Sequence, residues 1–326
     1  MTSRSQDTAA PPGRLRVAAV QMKFAPTIEG NLATIERLLA EAVRRRADAV
    51  LLPECATTGY ACDFSRLKPA ELRGALAAVG RMAARFHANV LVGSPVFRSG
   101  RLLNCLVVFG RQGQVVHCYA KCHLTEMDRR HFTPGNAVAL FEIDGVPATA
   151  VICHERRYPE LVRLAVMAGA RILFHPNAGM DRLAVSRAKR GGKDGIAARA
   201  FENAIYYVFA NSVGPQGDGK WSAGDTKIVG PDERVLALAG NRDEAVIVAD
   251  LELAAATGVY ALRGLEHPRF LAAQWKKMVA AVKKQAARRA LAFDLPDPAR
   301  SSEDWSPFAL RKKRHFRGAK DDFDSL

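Results

Sequence analysis

No stretch of this chain approaches the roughly 20 consecutive apolar residues that a membrane-spanning helix needs, so no membrane role is expected. Residues 1–13 are small and polar and lack the apolar segment of a secretory signal; they read as a disordered tail. The six cysteines, Cys55, Cys62, Cys105, Cys118, Cys122 and Cys153, contain no C-x-x-C pair and are widely scattered. That argues against a disulfide framework and for reduced thiols in a cytoplasmic protein. His117-Cys118 and Cys122-His123 come nearest to a metal-ligand spacing, but they lie in a strand-like run with no second cluster, so no metal is expected. There is no internal repeat, no low-complexity linker and no glycine-rich phosphate loop. Acidic residues are few: 33 Asp and Glu against 48 Lys and Arg, a net charge of +15. Much of the excess sits near the C-terminus, in Lys276-Lys277, Lys283-Lys284, Arg288-Arg289 and the run at 311–314. Such runs are usually a solvated helix face followed by a tail. They permit contact with anions, but a nucleic-acid partner is not expected.

What is present is a soluble globular pattern, 48% hydrophobic and 25% charged over 326 residues. Buried strands are expected at 16–22, 47–53, 89–96, 102–109, 115–120, 146–152, 170–175 and 205–211, with further strands at 226–229, 235–238 and 245–251. Helices are expected at 31–46, where Leu32, Ile35, Leu38, Leu39 and Val43 have helical spacing, and at 69–86, 158–168, 194–203 and 267–291. A glycine-rich loop follows Asn211. The alternation implies an α/β fold with helices covering the sheets. The domain division is a tail at 1–13, one domain at 14–260, and a basic C-terminal helix and extended arm at 261–326.

The chain is organised around the segment at 151–160. An apolar run ends abruptly at Cys153, and polar residues, Pro159 and a helical stretch follow. A cysteine at such a corner lies near a helix N-terminus, where backbone N–H groups and the dipole favour the thiolate. It can equally be a small buried apolar residue. Two other reactive residues also follow apolar strands directly, Glu54 and Lys121. Strand ends of α/β folds are where ligands bind, so the three can meet in one crevice. The chemistry is coherent. A carboxylate can deprotonate a thiol, and a lysine can stabilise negative charge developing on an attacked carbonyl. With no Ser/His/Asp set, hydrolysis through a cysteine is the best-supported chemistry.

These residues stand in four ordered blocks: Leu52-Pro53-Glu54 with Gly59-Tyr60; Tyr119-Ala120-Lys121 with Phe132-Thr133-Pro134-Gly135; Ile152-Cys153 with Arg157-Tyr158-Pro159-Glu160; and Ala198-Arg199-Ala200-Phe201-Glu202-Asn203 with Asn211-Ser212-Val213-Gly214. Their order and spacing resemble the carbon–nitrogen hydrolase family, also called the nitrilase superfamily. The resemblance implies an α-β-β-α sandwich, usually paired into a homodimer or higher homo-oligomer, with no cofactor. It implies Glu54 as general base, Lys121 as stabiliser of the tetrahedral intermediate, Cys153 as nucleophile and the backbone N–H of His154 as a second oxyanion donor, with a thioester intermediate. One position departs from the family's pattern. Where a second glutamate commonly stands, four residues before Phe132, this chain has Asp128, shorter by one methylene; Glu126 is the nearest glutamate. Adjacent Arg156 and Arg157 resemble the N-carbamoyl-amino-acid amidohydrolases, in which arginine there grips a substrate carboxylate. An arginine fork suits that task, although a salt bridge to Glu155 or Glu160 is as plausible. Tyr60, Asn177 and a basic loop at 180–192 are expected to shape the pocket. The expected activity is hydrolysis of a carbamoyl or amide group on a small carboxylate-bearing molecule. The alternatives are an omega-amidase, an aliphatic amidase, or a non-catalytic binding protein on the same fold.

Overall fold

A computed structural model describes residues 13–188 and 195–287. In chain order the elements are β1 (Arg14–Gln21), α1 (Ile28–Arg44), β2 (Ala49–Leu51), α2 (Pro69–Phe86), β3 (Asn89–Arg98), β4 (Arg101–Phe109), β5 (Val115–Ala120), β6 (Phe141–Ile143), β7 (Val146–Ala150), α3 (Pro159–Met167) and β8 (Ile172–Asn177). Then come β9 (Met180–Arg182), α4 (Leu183–Ala188), α5 (Ile196–Phe201), β10 (Tyr206–Asn211), β11 (Val213–Pro215), β12 (Lys220–Ala223), β13 (Lys227–Val229), β14 (Val235–Leu238), β15 (Ala245–Glu252), α6 (Val259–Arg263) and α7 (Arg269–Ala287).

Two six-stranded sheets carry the fold, in the orders β15-β1-β2-β3-β4-β5 and β14-β13-β10-β8-β7-β6. Strand alternation shows how they are layered. Along β1, Leu15, Val17 and Ala19 face the core between the sheets, while Ala18 and Val20 join the core under α1 and α2. On β10, Tyr206, Val208 and Ala210 face the inter-sheet core, and Tyr207 and Phe209 pack toward α3 and α5. A strand buried on both faces reads as a continuous apolar run, which is why these strands stand out in the sequence. The result is the expected α-β-β-α sandwich.

Strand direction places the functional edge. β1, β2 and β3 are parallel, and two antiparallel steps through β4 return β5 to the direction of β2. In the other sheet β7, β8 and β10 are parallel. Each sheet therefore gathers several strand C-termini on one edge. The two edges meet where Met22, just past β1, forms a parallel bridge with Ser212, just past β10.

Three expectations change in detail. The loop after Asn211 holds β11 and β12, turned by Gly217 and Gly219, both at positive φ; with β9 they form a three-stranded sheet. Strands of three or four residues are too short to show an alternating pattern. The expected loop at 180–192 is β9 followed by α4, with residues 189–192 outside the described residues. The C-terminal helix spans Arg269–Ala287 and packs Val279 and Trp275 against the α3 side of the sandwich. The expected N-terminal tail, up to residue 12, and the arm beyond residue 287 lie outside the described residues. No helix among the described residues is long and apolar enough to cross a membrane.

Candidate active site

Three strand ends deliver three side chains to the shared edge. Glu54 follows β2, Lys121 follows β5, and Cys153 opens a short 3-10 turn after β7. Glu54 and Lys121 are fully buried. The Lys121 Nζ donates to Glu54 Oε1 and lies equally close, 2.8 Å, to Asp128 Oδ2. Cys153 lies close enough to Glu54 for the carboxylate to act directly on its thiol. Glu54 is held in place by Asn104 Nδ2, which donates to Oε1 at 2.7 Å, and by the Ala178 N–H, which donates to Oε2 at 3.1 Å.

The backbone is specialised at both reactive corners. Cys153 and Cys55, the residue after Glu54, adopt φ of 52° and 51°. Non-glycine residues rarely enter this left-handed region, and strain of this kind collects at functional sites. Gly93 on β3 makes the Glu54 corner possible. A Cβ there would lie 2.3 Å from the Pro53 carbonyl oxygen and 2.6 Å from Glu54 Cα. Gly93→Ala should therefore push the Glu54 backbone aside. A displacement of about 1 Å in a catalytic group can lower rate ~100-fold, so kcat should fall by about that factor. Steady-state kinetics on a variant verified as folded would check this; unchanged kcat would refute it.

The electrostatics correct one expectation. Burial raises the Cys153 pKa, the charge on Glu54 raises it further, and Lys121 offsets only part, leaving it pushed up to about 12. The resting form is a thiol, not the thiolate that a helix N-terminus would favour. The short 3-10 turn offers a partial charge, whereas Glu54 brings a full one within hydrogen-bond reach. Burial works against the Lys121 ammonium, yet Glu54, Cys153 and Asp128 together hold its pKa above that of an ordinary lysine. Burial likewise opposes the Asp128 carboxylate, and Lys121 keeps it below the usual range.

Asp128 thus reaches Lys121 directly despite its shorter side chain. A 3-10 turn, Asp128–Arg130, brings its backbone close, and the Thr125 N–H donates to its Oδ2. Glu126 is exposed and takes no part. Tyr60, expected to bind substrate, is instead buried and donates its hydroxyl to Asp128 Oδ1.

Glu155 is the residue that sequence reasoning missed. It is fully buried and bonded to neither arginine expected as its partner. Its carboxylate accepts from the N–H groups of Ile152, Cys122 and His123 and from the Tyr119 hydroxyl. One carboxylate thereby ties the Cys153 turn to the segment just after Lys121. Its bond to the Ile152 N–H is the glutamate half of a capping box, but with isoleucine where the serine or threonine would stand the sequence does not signal it.

A cavity of about 110 Å³ opens beside Cys153 and is lined in part by Arg156, Asn177, Asn211 and Asp225. Asn177 Nδ2 donates to Asn211 Oδ1 at 2.8 Å, which fixes its side chain at the cavity wall. Asp225 pairs with the buried Lys227 at 2.8 Å; neither was singled out from the sequence. Arg157 is exposed and does not line this cavity, which corrects the expectation of a paired arginine grip. His154 is partly buried, its ring 5.6 Å from that of Tyr158. A larger cavity, about 670 Å³, lies beside the edge strand β5 and contains none of the three reactive residues; the chemistry locates the site, not the volume. Among the described residues no cluster of His, Cys, Asp or Glu could hold a metal ion.

The family model described as carbon-nitrogen hydrolase matches residues 16–260. The chain belongs to this family. Among curated carbon–nitrogen hydrolase relatives, the 2-oxoglutaramate amidase of Bacillus subtilis is 30% identical over 217 residues, covering 64% of this chain and 80% of that protein. The omega-amidase NIT2 of Danio rerio is 26% identical, covering 74% and 89%. Among solved structures, an amidase of Nesterenkonia sp. AN1 from the nitrilase superfamily superposes with a TM-score of 0.69 at 23% identity, covering 81% of this chain and 98% of that one. A carbon-nitrogen hydrolase of Helicobacter pylori G27 superposes with a TM-score of 0.71 at 21% identity, covering 79% and 96%. Another form of the Nesterenkonia amidase carries the acetamide moiety of fluoroacetamide covalently on its active-site cysteine.

Proposed function

We propose that this carbon–nitrogen hydrolase is a cysteine amidohydrolase that releases ammonia from a terminal amide of a small, carboxylate-bearing compound. The observation that carries the reading is the meeting of Cys153 with the hydrogen-bonded Lys121–Glu54 pair, with Arg156 lining the cavity beside it. Glu54 takes the thiol proton as Sγ attacks the amide carbon, so no free thiolate is needed beforehand. The oxyanion that forms meets the Lys121 ammonium and the His154 N–H. Glu54 returns its proton to the nitrogen, the C–N bond breaks, and ammonia leaves behind a thioester. Water, deprotonated by the same carboxylate, attacks the thioester; the acid is released and the thiol re-formed. Asp128 holds the lysine from its other side and keeps it charged.

The covalent adduct on the cysteine of the Nesterenkonia amidase supports the nucleophile. The substrate rests on Arg156, since a guanidinium in a small cavity suits a carboxylate. A cavity of about 110 Å³ suits a small molecule. With Arg157 outside that cavity, the carbamoyl-acid reading loses one of its two arginines. The names of the relatives, an amidase of 2-oxoglutaramate and omega-amidases, favour an omega-amide over an N-carbamoyl acid.

The test is ammonia release from glutaramate, succinamate, N-carbamoyl amino acids, propionamide and simple nitriles. Arg156→Gln should raise KM for the carboxylate-bearing amides by about 10- to 100-fold, the loss of a charged hydrogen-bonding partner, and leave propionamide nearly unchanged. Arg157→Gln should change little. Turnover confined to neutral amides would overturn the carboxylate assignment, and release from nitriles alone would overturn the amidase reading.

A further inference from the structure

Directly behind Cys153 lies a buried pair that the steps above do not use. His175, on β8, is fully buried. Its Nε2 is 3.0 Å from the Cys153 carbonyl oxygen, and its Nδ1 is 2.8 Å from the Tyr207 hydroxyl. Burial, then the charge of Arg156, pulls its pKa down to about 3, so the ring is neutral at any ordinary pH. A neutral imidazole has one donor and one acceptor. A carbonyl oxygen can only accept, so Nε2 carries the hydrogen and donates to Cys153. Nδ1 then accepts from Tyr207, whose hydroxyl locks this tautomer.

The Cys153 carbonyl and the His154 N–H belong to one planar trans peptide and point in opposite directions. Whatever fixes the carbonyl fixes the N–H. Glu155 holds the Ile152 N–H before the turn but does not touch the Cys153–His154 peptide. Cys153 itself sits at a φ of 52°, from which an unrestrained peptide tends to relax. We propose that His175, oriented by Tyr207, is a positioning residue that fixes the Cys153–His154 peptide so that the His154 N–H faces the reacting carbonyl as an oxyanion donor. This rests on the amidohydrolase reading above. It adds a third layer to the site, from Tyr207 through His175 to the peptide, reached from the helix-covered side of the second sheet.

The test separates orientation of the oxyanion donor from activation of the thiol. Kinetics would be measured for His175→Leu, His175→Gln and Tyr207→Phe on the fastest substrate of the panel above. In parallel, Cys153 would be labelled with methyl methanethiosulfonate and the site located by peptide mass. That reagent forms a mixed disulfide and expels methanesulfinate, with no carbonyl oxyanion on the way. His175→Leu should lower kcat at least about 30-fold, toward the effect of losing an oxyanion donor, with little change in KM or in the labelling rate. His175→Gln should recover most of the activity, because its amide N–H can reach the same carbonyl. Tyr207→Phe should fall in between. The inference is overturned if His175→Leu keeps near wild-type kcat, if kcat and labelling fall together, or if glutamine rescues nothing. Should the leucine variant not fold, unchanged kcat in Tyr207→Phe would overturn it equally. Retained hydrolysis by Cys153→Ala would instead sink the underlying amidohydrolase reading, whatever the His175 variants do.

Discussion

Cys153→Ala should remove ammonia release from every substrate of the wild type, with kcat lower by at least about 10⁴-fold, as when a covalent nucleophile is deleted. The fold should persist, because one sulfur atom is lost at a partly buried corner whose backbone is held by Glu155 and His175. Glu54 would remain to activate water, but water lacks the fixed attack geometry of the thiol. The wild-type acyl-enzyme should be visible by mass spectrometry after rapid acid quench, and the variant should show none. The charge state of the thiol is part of the same expectation. With its pKa pushed up to about 12, Cys153 should contribute no thiolate absorbance near neutral pH in a wild-type minus Cys153→Ala difference titration. A titration step near pH 6 to 8 would reveal a preformed thiolate and require a different account of Glu54.

Lys121→Met should damage both activity and stability. The side chain is fully buried between two carboxylates. Removing the shared cation leaves Glu54 and Asp128 in a dry site with no counter-charge, a change that typically costs about 3–5 kcal/mol. Loss of an oxyanion donor alone removes roughly 10²- to 10³-fold in kcat. The pH dependence has a definite sign. In the wild type the folded pKa of Asp128 is depressed, so its contribution to stability is present above the ordinary aspartate value and is lost as acid carries the pH below it. The pKa of Lys121 is raised, so its contribution is present below the ordinary lysine value and is lost as alkali takes the pH above it. In the methionine variant one carboxylate must take up a proton to relieve the repulsion. The destabilisation, measured by denaturant unfolding, should therefore be smaller near pH 5 than near pH 8. Equal stability of the two proteins at pH 8 would mean that the triad is not held by charge.

Much of this was legible because buried strands advertise themselves. Apolar runs ending at Glu54, Lys121 and Cys153 marked the three strand ends, and an α/β fold turns strand ends into a site. What the pattern hid was anything decided by three-dimensional burial. Glu155 reads as one more charge beside two arginines, yet it is sealed among backbone amides. Tyr60 reads as a pocket aromatic, but its hydroxyl serves Asp128. His175 sits unmarked inside an apolar strand, and its contact with the Cys153 carbonyl exists only in three dimensions. Asp128 was judged on side-chain length, whereas the backbone turn beneath it sets its reach. The state of Cys153 depended on a comparison of fields, and burial with a neighbouring carboxylate outweighed a short turn.

The reactive groups come from different layers: Glu54 and Lys121 hang from one sheet, Cys153 and Asn177 from the other. Neither sheet alone carries the whole array, because its members are contributed from both. On the mechanism proposed above, catalysis is thereby a coincidence detector for the folded sandwich. On that mechanism a chain that has formed only one sheet, or whose sheets have slipped by a single packing layer, should release no ammonia.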